Sequence, residues 1–233
     1  MYDPQYRDPR IGEIDRLLDG PEPDEAGWYD GVRRWLEDAY LVSENPRAQS
    51  GFGGGAEYWE RARRPMTGAI ARDGTFLDMG CANGLLMEDI ARWAAEDGYR
   101  IKPYGLDFSS AIADLARHRL PHWKDRIFTG NVIDWRSPFR FDYVGVGLES
   151  VPPARQEQMV DRLLREFVLP EGRLILRSYG SASRPTPRPL TVGEMLRGWG
   201  YAVAGEAEGV APNGVVVSRF VWVTSQTDGV NDV

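Results

Sequence analysis

From Thr75 onward the chain switches repeatedly between short apolar runs and longer stretches with helical spacing. TFLDMG is apolar and ends in glycine, which predicts a strand followed by a turn. In LLMEDIARWAAEDG, Leu86, Ile90, Trp93 and Ala94 fall at i, i+4, i+7 and i+8, one face of a helix, and Gly98 stands where that helix should stop. IKPYGLD reads as a second strand, SSAIADLARHRL as a serine-capped helix, RIFTGN as a third strand and DYVGVGL as a fourth. In PARQEQMVDRLLREFVL, Met159, Leu163 and Phe167 share a face flanked by Val160 and Leu164, and GRLILRSY is a fifth strand. Alternation of this kind predicts a parallel sheet covered by helices. The link from Val132 to Phe141 is short for a crossover and contains Pro138, so a loop or degenerate helix is expected there. YAVAGEAEG and GVVVSRFVWVTS have only a short glycine and proline connection, which permits an antiparallel hairpin and not a parallel crossover.

Upstream the pattern differs. Residues 28–72 read as helical, with WYDGVRRWLEDAYLV first and AEYWERARRPMTGAIA second, separated by SGFGGG at Ser50–Gly55. Residues 1–27 are acidic and proline-rich and read as an arm or linker, with one amphipathic turn available from Ile11, Ile14, Leu17 and Leu18. The expected organisation is therefore an arm over 1–27, a helical lid over 28–72, an α/β domain over 73–225 and a polar tail over 226–233.

Composition narrows the chemistry. One cysteine, Cys81, excludes a disulfide framework and a thiolate metal cage, and two histidines, His118 and His122, make a histidine metal centre a poor fit. No metal is expected. A net charge of −7 opposes a nucleic-acid partner, and the RARR run at Arg61–Arg64 is more simply a solvated helix face. No run approaches the roughly 18 apolar residues of a membrane span. MYDPQYRDPR carries no apolar signal core, so a cytoplasmic location is expected.

Two glycine-rich stretches compete as a phosphate-like or nucleotide-binding turn. SGFGGG has no preceding strand, and AEYW follows it where a phosphate loop needs lysine, so it reads as a hinge. FLDMGCANGLL has the strand–turn–helix context that aims unpaired backbone N–H groups at a ligand. It is not a dinucleotide fingerprint, because Ala82 replaces the second glycine and Leu85 the third. Asp78, inside the strand end, would repel a pyrophosphate but suits a ligand bearing an ammonium group. Asp107, ending the second strand, is placed to accept from a ribose diol, and Asn131, ending the third, offers a carbonyl to an adenine amino group. Taken singly, the glycines fit an ordinary tight turn and Asp107 an ordinary helix cap. Cys81 reads as a small packing residue rather than a nucleophile.

Together these residues make the stretch from Phe76 onward resemble the class I S-adenosylmethionine-dependent methyltransferases. Asp78, Gly80, Ala82 and Gly84 are similar to the family's first motif, Asp107 to its ribose-binding acid, and Asn131 with Val132 to its adenine contact. FDYVGVGLE and LPEGRLIL resemble its fourth strand and its entry to the fifth. The resemblance implies a Rossmann-like seven-stranded sheet of order 3-2-1-4-5-7-6 with its terminal strand antiparallel, S-adenosylmethionine as cofactor, and contacts from Cys81, Phe108 and Leu148 as well.

In such a sheet the crevice opens between strands one and four, and Glu149 follows strand four. Glu149 is the candidate base or positioning group for a hydroxyl or amine of a small-molecule acceptor, against the plainer reading of a capping carboxylate. His122 is the other candidate base. ESVPPA departs from the family's amino-group motif, with Val151 inserted and Ala154 in place of an aromatic, so adenine or glutamine-amide methylation is not expected. Trp28, Tyr29, Trp35, Tyr40, Phe52, Tyr58 and Trp59 supply aromatics for packing or for a pocket wall. Trp59 is expected over the cofactor, Arg63 or Arg64 on its carboxylate, and GSASRPTPRPL as a second substrate wall. The competing readings are a nicotinamide-dependent oxidoreductase and a non-catalytic S-adenosylmethionine-binding protein. Oligomeric state is not legible.

Overall fold

A computed structural model describes residues 9–180 and 191–225. GSASRPTPRPL beyond Gly180 and the polar tail from 226 lie outside the described residues. The strands are β1 (Gly74–Met79), β2 (Ile101–Asp107), β3 (Ile127–Thr129), β4 (Phe141–Gly147), β5 (Val168–Tyr179), β6 (Val203–Val210) and β7 (Val216–Thr224). They form one sheet of order β3-β2-β1-β4-β5-β7-β6. The pairs from β3 to β5 are parallel, and β7 runs antiparallel to both β5 and β6. The 130–140 link holds turns and no helix.

Strand alternation sends side chains to two cores. Leu77, Met79, Val144, Val146, Leu174 and Leu176 face α6 (Gln156–Glu166) and α7 (Val192–Gly198). The short helix α7 lies in a stretch to which the sequence pattern assigned no element. Phe76, Tyr143, Ile175, Phe220 and Trp222 face α3 (Ala56–Arg63) and α4 (Leu85–Glu96), through Trp59, Ile90 and Trp93. The helix α5 (Ser110–Arg119) packs beside α4, where Ala113, Ala116 and Leu120 meet Met87 and Cys81. Ser109 caps α5 by accepting from Ile112 N–H.

The N-terminal segment roofs the carboxyl edge of this sheet. It contains α1 (Pro9–Asp15), within the stretch read as an arm, and α2 (Glu25–Tyr40), capped by Asp24. Pro65 ends the regular helix after α3, and Arg64–Ala69 continue as a 3-10 turn. In the glycine run, Gly51 is left-handed (φ 71°), and a Cβ there would meet the Tyr40 hydroxyl at 2.6 Å. A Cβ at Gly54 would meet Phe52 and Tyr58 rings at 2.6 Å. Close approach of aromatic rings thus accounts for two of these glycines.

Candidate functional site

Between roof and sheet edge lies a cavity of about 560 Å³. Its floor is the turn after β1. Gly80 (φ 74°), Ala82 (φ 48°) and Gly84 (φ 75°) are all left-handed, so the chain coils tightly before α4 begins. An alanine in that conformation costs about 1 kcal/mol relative to glycine. Ala82 N–H donates to Asp107 Oδ2 at 3.0 Å and Ser109 N–H to Asp107 Oδ1 at 3.0 Å. Asp107 is thereby fixed at the end of β2, while burial pushes its carboxyl up to about 7 against the pull of those two donors. Asn83 ties the turn to the roof: its amide donates to Pro46 O (2.8 Å) and Gln49 Oε1 (3.0 Å), and its Oδ1 accepts from Ser50 Oγ (2.6 Å).

Asp78 points into the cavity from the end of β1. Its Oδ1 accepts from Arg177 Nη1 at 2.5 Å, and Arg177 Nη2 donates to Met79 O at 2.5 Å. The Arg177 side chain reaches Asp78 by crossing β4, where Gly145 stands opposite Asp78 and Gly147 opposite Arg177. Among the described residues Asp78 Oδ2 is buried without a partner, as is the Tyr179 hydroxyl. Burial is the main influence raising the Asp78 carboxyl, and Arg177 opposes it. Burial also works against the charge on Arg177, but Asp78, Tyr179 and Glu149 outweigh it and hold the guanidinium above its ordinary range.

Arg63, at the end of α3, is 6% exposed, and its guanidinium lies 3.6 Å over the Tyr179 ring, with Trp59 at 5.0 Å and Phe52 at 5.2 Å. Among the described residues no carboxylate stands within ion-pair distance of it, and burial lowers its pKa. Trp59 lines the cavity with its indole N–H fixed on Asp89 at 2.7 Å. Glu149 is an exposed side chain that opens to the cavity. Desolvation by the protein around it raises its carboxyl, against its own N–H, Arg177 and Arg63. A side chain at Gly147 would collide with the Glu149 carboxylate.

Of the residues singled out in the sequence, Trp59, Arg63, Asp78, Gly80, Cys81, Ala82, Asp107, Phe108, Asn131, Val132 and Glu149 line this cavity. Arg64 does not: it lies on the surface, bonded to Glu60 (3.0 Å), Glu96 (2.7 Å) and Asp97 (3.2 Å). Leu148 is wholly buried in the core under the sheet. Gly84 lies behind the turn, where a Cβ would meet Leu120 Cδ1 at 2.6 Å. Asn131 Oδ1 already accepts from Ile133 N–H at 3.1 Å, and Arg162 donates to the Val132 carbonyl. His122 is exposed outside the cavity. Cys81 is buried, and burial raises its thiol well above its ordinary value. The sequence reading missed Arg177, Tyr179 and the α1 face bearing Ile11 and Asp15, which line the cavity, and Asn83, which ties the turn to the roof. Only the β4 spacing Gly145-x-Gly147 hinted that a long side chain crosses there.

Sheet order, strand directions and a glycine turn at the end of β1 give this chain the fold of the class I S-adenosylmethionine-dependent methyltransferases. It is similar to Burkholderia thailandensis 1,6-didemethyltoxoflavin-N1-methyltransferase, solved with 1,6-didemethyltoxoflavin and S-adenosylhomocysteine bound, with 14% identity over 90% of this chain and 93% of that one and a TM-score of 0.61. The N-methyltransferase NodS of Bradyrhizobium japonicum, solved with S-adenosylhomocysteine, is 13% identical over 94% of this chain and 100% of its own, with a TM-score of 0.54. No family model and no curated protein sequence matches the chain.

Proposed function

We propose that this protein is an S-adenosylmethionine-dependent methyltransferase acting on a hydroxyl or amine of a small molecule. The observation that carries the reading is a set of buried polar groups with unfilled bonding capacity in one cavity. Arg63 lacks a carboxylate among the described residues, and Asp78 Oδ2 and the Tyr179 hydroxyl lack donors. An α-amino-acid end supplies a carboxylate for Arg63 and an ammonium for Asp78 and Tyr179, which relieves the cost of burying them. Asp107 suits the ribose diol. When bound, S-adenosylmethionine supplies a methyl group on a sulfonium sulfur, open to in-line displacement.

The chain's own contribution is to position the acceptor, exclude water and take up its proton. Glu149, beside Arg177 at the end of β4, is the group for that proton. Residues 28–72 act as a lid over the domain formed by 73–225, with the glycine run as its hinge. Glu37 Oε1 accepts from Ser109 Oγ at 2.6 Å, and Glu25 pairs with Arg155 at 2.8 Å, latching α2 at both ends. A small molecule fits this enclosed site better than a nucleic acid does. Arg61 and Arg64 of the basic run are already paired with acids. Among the described residues no helix is long and apolar enough to cross a membrane, and a cytoplasmic location is part of the proposal.

Isothermal titration with S-adenosylhomocysteine and NAD in parallel tests the reading. Micromolar binding of the former, lost in Asp107→Ala, is expected. Binding of NAD alone would make the chain an oxidoreductase candidate.

A further inference from the structure

The sheet order divides a ligand among three strand ends. Asp78 stands at the end of β1, Asp107 closes β2, and Gly130, Asn131 and Val132 follow β3, all of them lining the cavity. Neighbouring strands lie about 4.8 Å apart. A ligand with its amino-acid end at Asp78 and its ribose at Asp107 therefore carries its base to the loop after β3.

That loop has no helix to hold it. Asp134 N–H (3.2 Å) and Trp135 N–H (2.8 Å) donate to Asn131 O, and Ile133 N–H donates to Asn131 Oδ1 at 3.1 Å. The carbonyls of Val132 and Trp135 fall to one side chain, Arg162 of α6, which donates Nη1 to the first and Nη2 to the second (2.6 Å). Glu166 accepts from its Nε at 3.1 Å. A guanidinium is a rigid planar fork, so two carbonyls gripped by it keep a fixed separation and orientation. Trp135 rests on Phe128 and Phe167 and packs so close to Gly130 that a Cβ there would meet its ring at 2.6 Å. Arg162 lies outside the cavity and reaches a ligand only through this loop.

Among the described residues two donors of the loop have no partner: the Val132 N–H and the Asn131 amide nitrogen, whose oxygen is committed to Ile133. Donors select a base edge that offers acceptors. Resting on the methyltransferase reading, we infer that Arg162 is a positioning residue for recognition of the cofactor's base. By holding two carbonyls it sets the loop's donors against the acceptor nitrogens of adenine. Hypoxanthine carries a hydrogen on N1 and an oxygen in place of the amino group, so a donor set for N1 of adenine meets a hydrogen there. A loop released from Arg162 loses that discrimination, while the contacts to ribose and amino acid remain.

The test is calorimetric titration with S-adenosylhomocysteine and with S-inosylhomocysteine, its hypoxanthine counterpart. The unaltered protein should prefer the adenine ligand by about tenfold or more. Arg162→Met should bind S-adenosylhomocysteine about fivefold more weakly and narrow that preference by about threefold or more. Arg162→Lys, which can still serve one carbonyl, should fall between the two, and it decides the matter should Arg162→Met lose its native circular dichroism. Arg63→Met, altered at the amino-acid end, should weaken both ligands alike and leave the preference intact, as any general loss of affinity would. No preference in the unaltered protein, or an undiminished preference in the deciding Arg162 variant, overturns the inference. Failure of S-adenosylhomocysteine to bind the unaltered protein, measured first, overturns the methyltransferase reading instead.

Discussion

Asp78 and Arg177, 99 positions apart in sequence, meet at 2.5 Å across an intervening strand, and both are almost wholly shielded from solvent. The crossing is open because β4 carries glycine at 145 and 147, directly opposite the two partners. One oxygen of Asp78 is consumed by the pair, and the other has no partner among the described residues. Arg177 therefore orients the acid without exhausting it.

Removing only Arg177 should leave an uncompensated buried carboxylate. Arg177→Met is expected to lose about 3–5 kcal/mol of stability, read as a lower urea midpoint at unchanged m-value. Asp78→Leu combined with Arg177→Met should recover much of that loss while binding of S-adenosylhomocysteine stays weak. A double variant as unstable as the single one would argue against the pairing.

Arg63 and Arg64 are adjacent in sequence but differ in role. Arg63→Met should weaken binding of S-adenosylhomocysteine by about 10- to 100-fold, the range for loss of a charged hydrogen-bonded partner. Arg64→Met should leave it unchanged, because that guanidinium serves Glu60, Glu96 and Asp97 on the surface. Calorimetry on both variants checks the pair.

Asp107 is expected to make ligand binding pH-dependent. Its carboxyl in the free protein stands at about 7, raised by burial. Two ribose hydroxyl donors favour the ionised form, so the ligand draws its pKa back down and a proton is released near neutrality. Affinity should therefore strengthen as pH rises from about 6 to about 8, and the measured enthalpy should depend on buffer ionisation. Asp107→Asn should weaken binding and abolish both dependences. A flat affinity profile in the unaltered protein would contradict this role.

The same raised carboxyl has the opposite effect on folding. Above its ordinary range an unfolded Asp107 is ionised, while the folded one resists ionisation, so its contribution to stability falls as pH rises toward about 7. The stability of ligand-free Asp107→Asn relative to the unaltered protein should therefore rise as pH goes from about 5 to about 7.5. That rise sits on a pH-independent loss, because the amide accepts only one of the two N–H bonds, and is read as the pH dependence of the difference in melting temperature.

Glu149→Gln keeps the shape of the side chain and removes its basicity. Methyl transfer to a hydroxyl or amine should fall by about 10²–10⁴-fold, with S-adenosylhomocysteine affinity held within a few-fold. The rising limb of the pH–rate profile, displaced above the ordinary carboxylate range by desolvation, should vanish with it. Full activity in the variant would reduce Glu149 to a wall of the cavity.

Much of the scaffold was legible in order along the chain. Short apolar runs mark β1 to β5, a 3.6-residue period marks α4 and α6, and serines mark the start of α5, because each is a local record of burial or capping. The Gly80–Gly84 turn and Asp107 were legible for the same reason: a strand end, a tight turn and a helix start are contiguous. The helix α7 escaped because its seven residues are too few to display a period.

The sequence by itself determined the alternation of strands and helices, the closing hairpin and the glycine turn after β1. Only the tertiary structure decided that Arg63 turns inward while Arg64 turns out, since adjacent helical positions differ by about 100° and nothing local says which one faces the sheet. It alone brought Arg177 to Asp78, through a sheet order that places β4 between β1 and β5. It also set the apolar stripe of α2 over a cavity rather than a core. A hydrophobic pattern states that a face will be covered; what covers it depends on contacts between residues far apart in the chain.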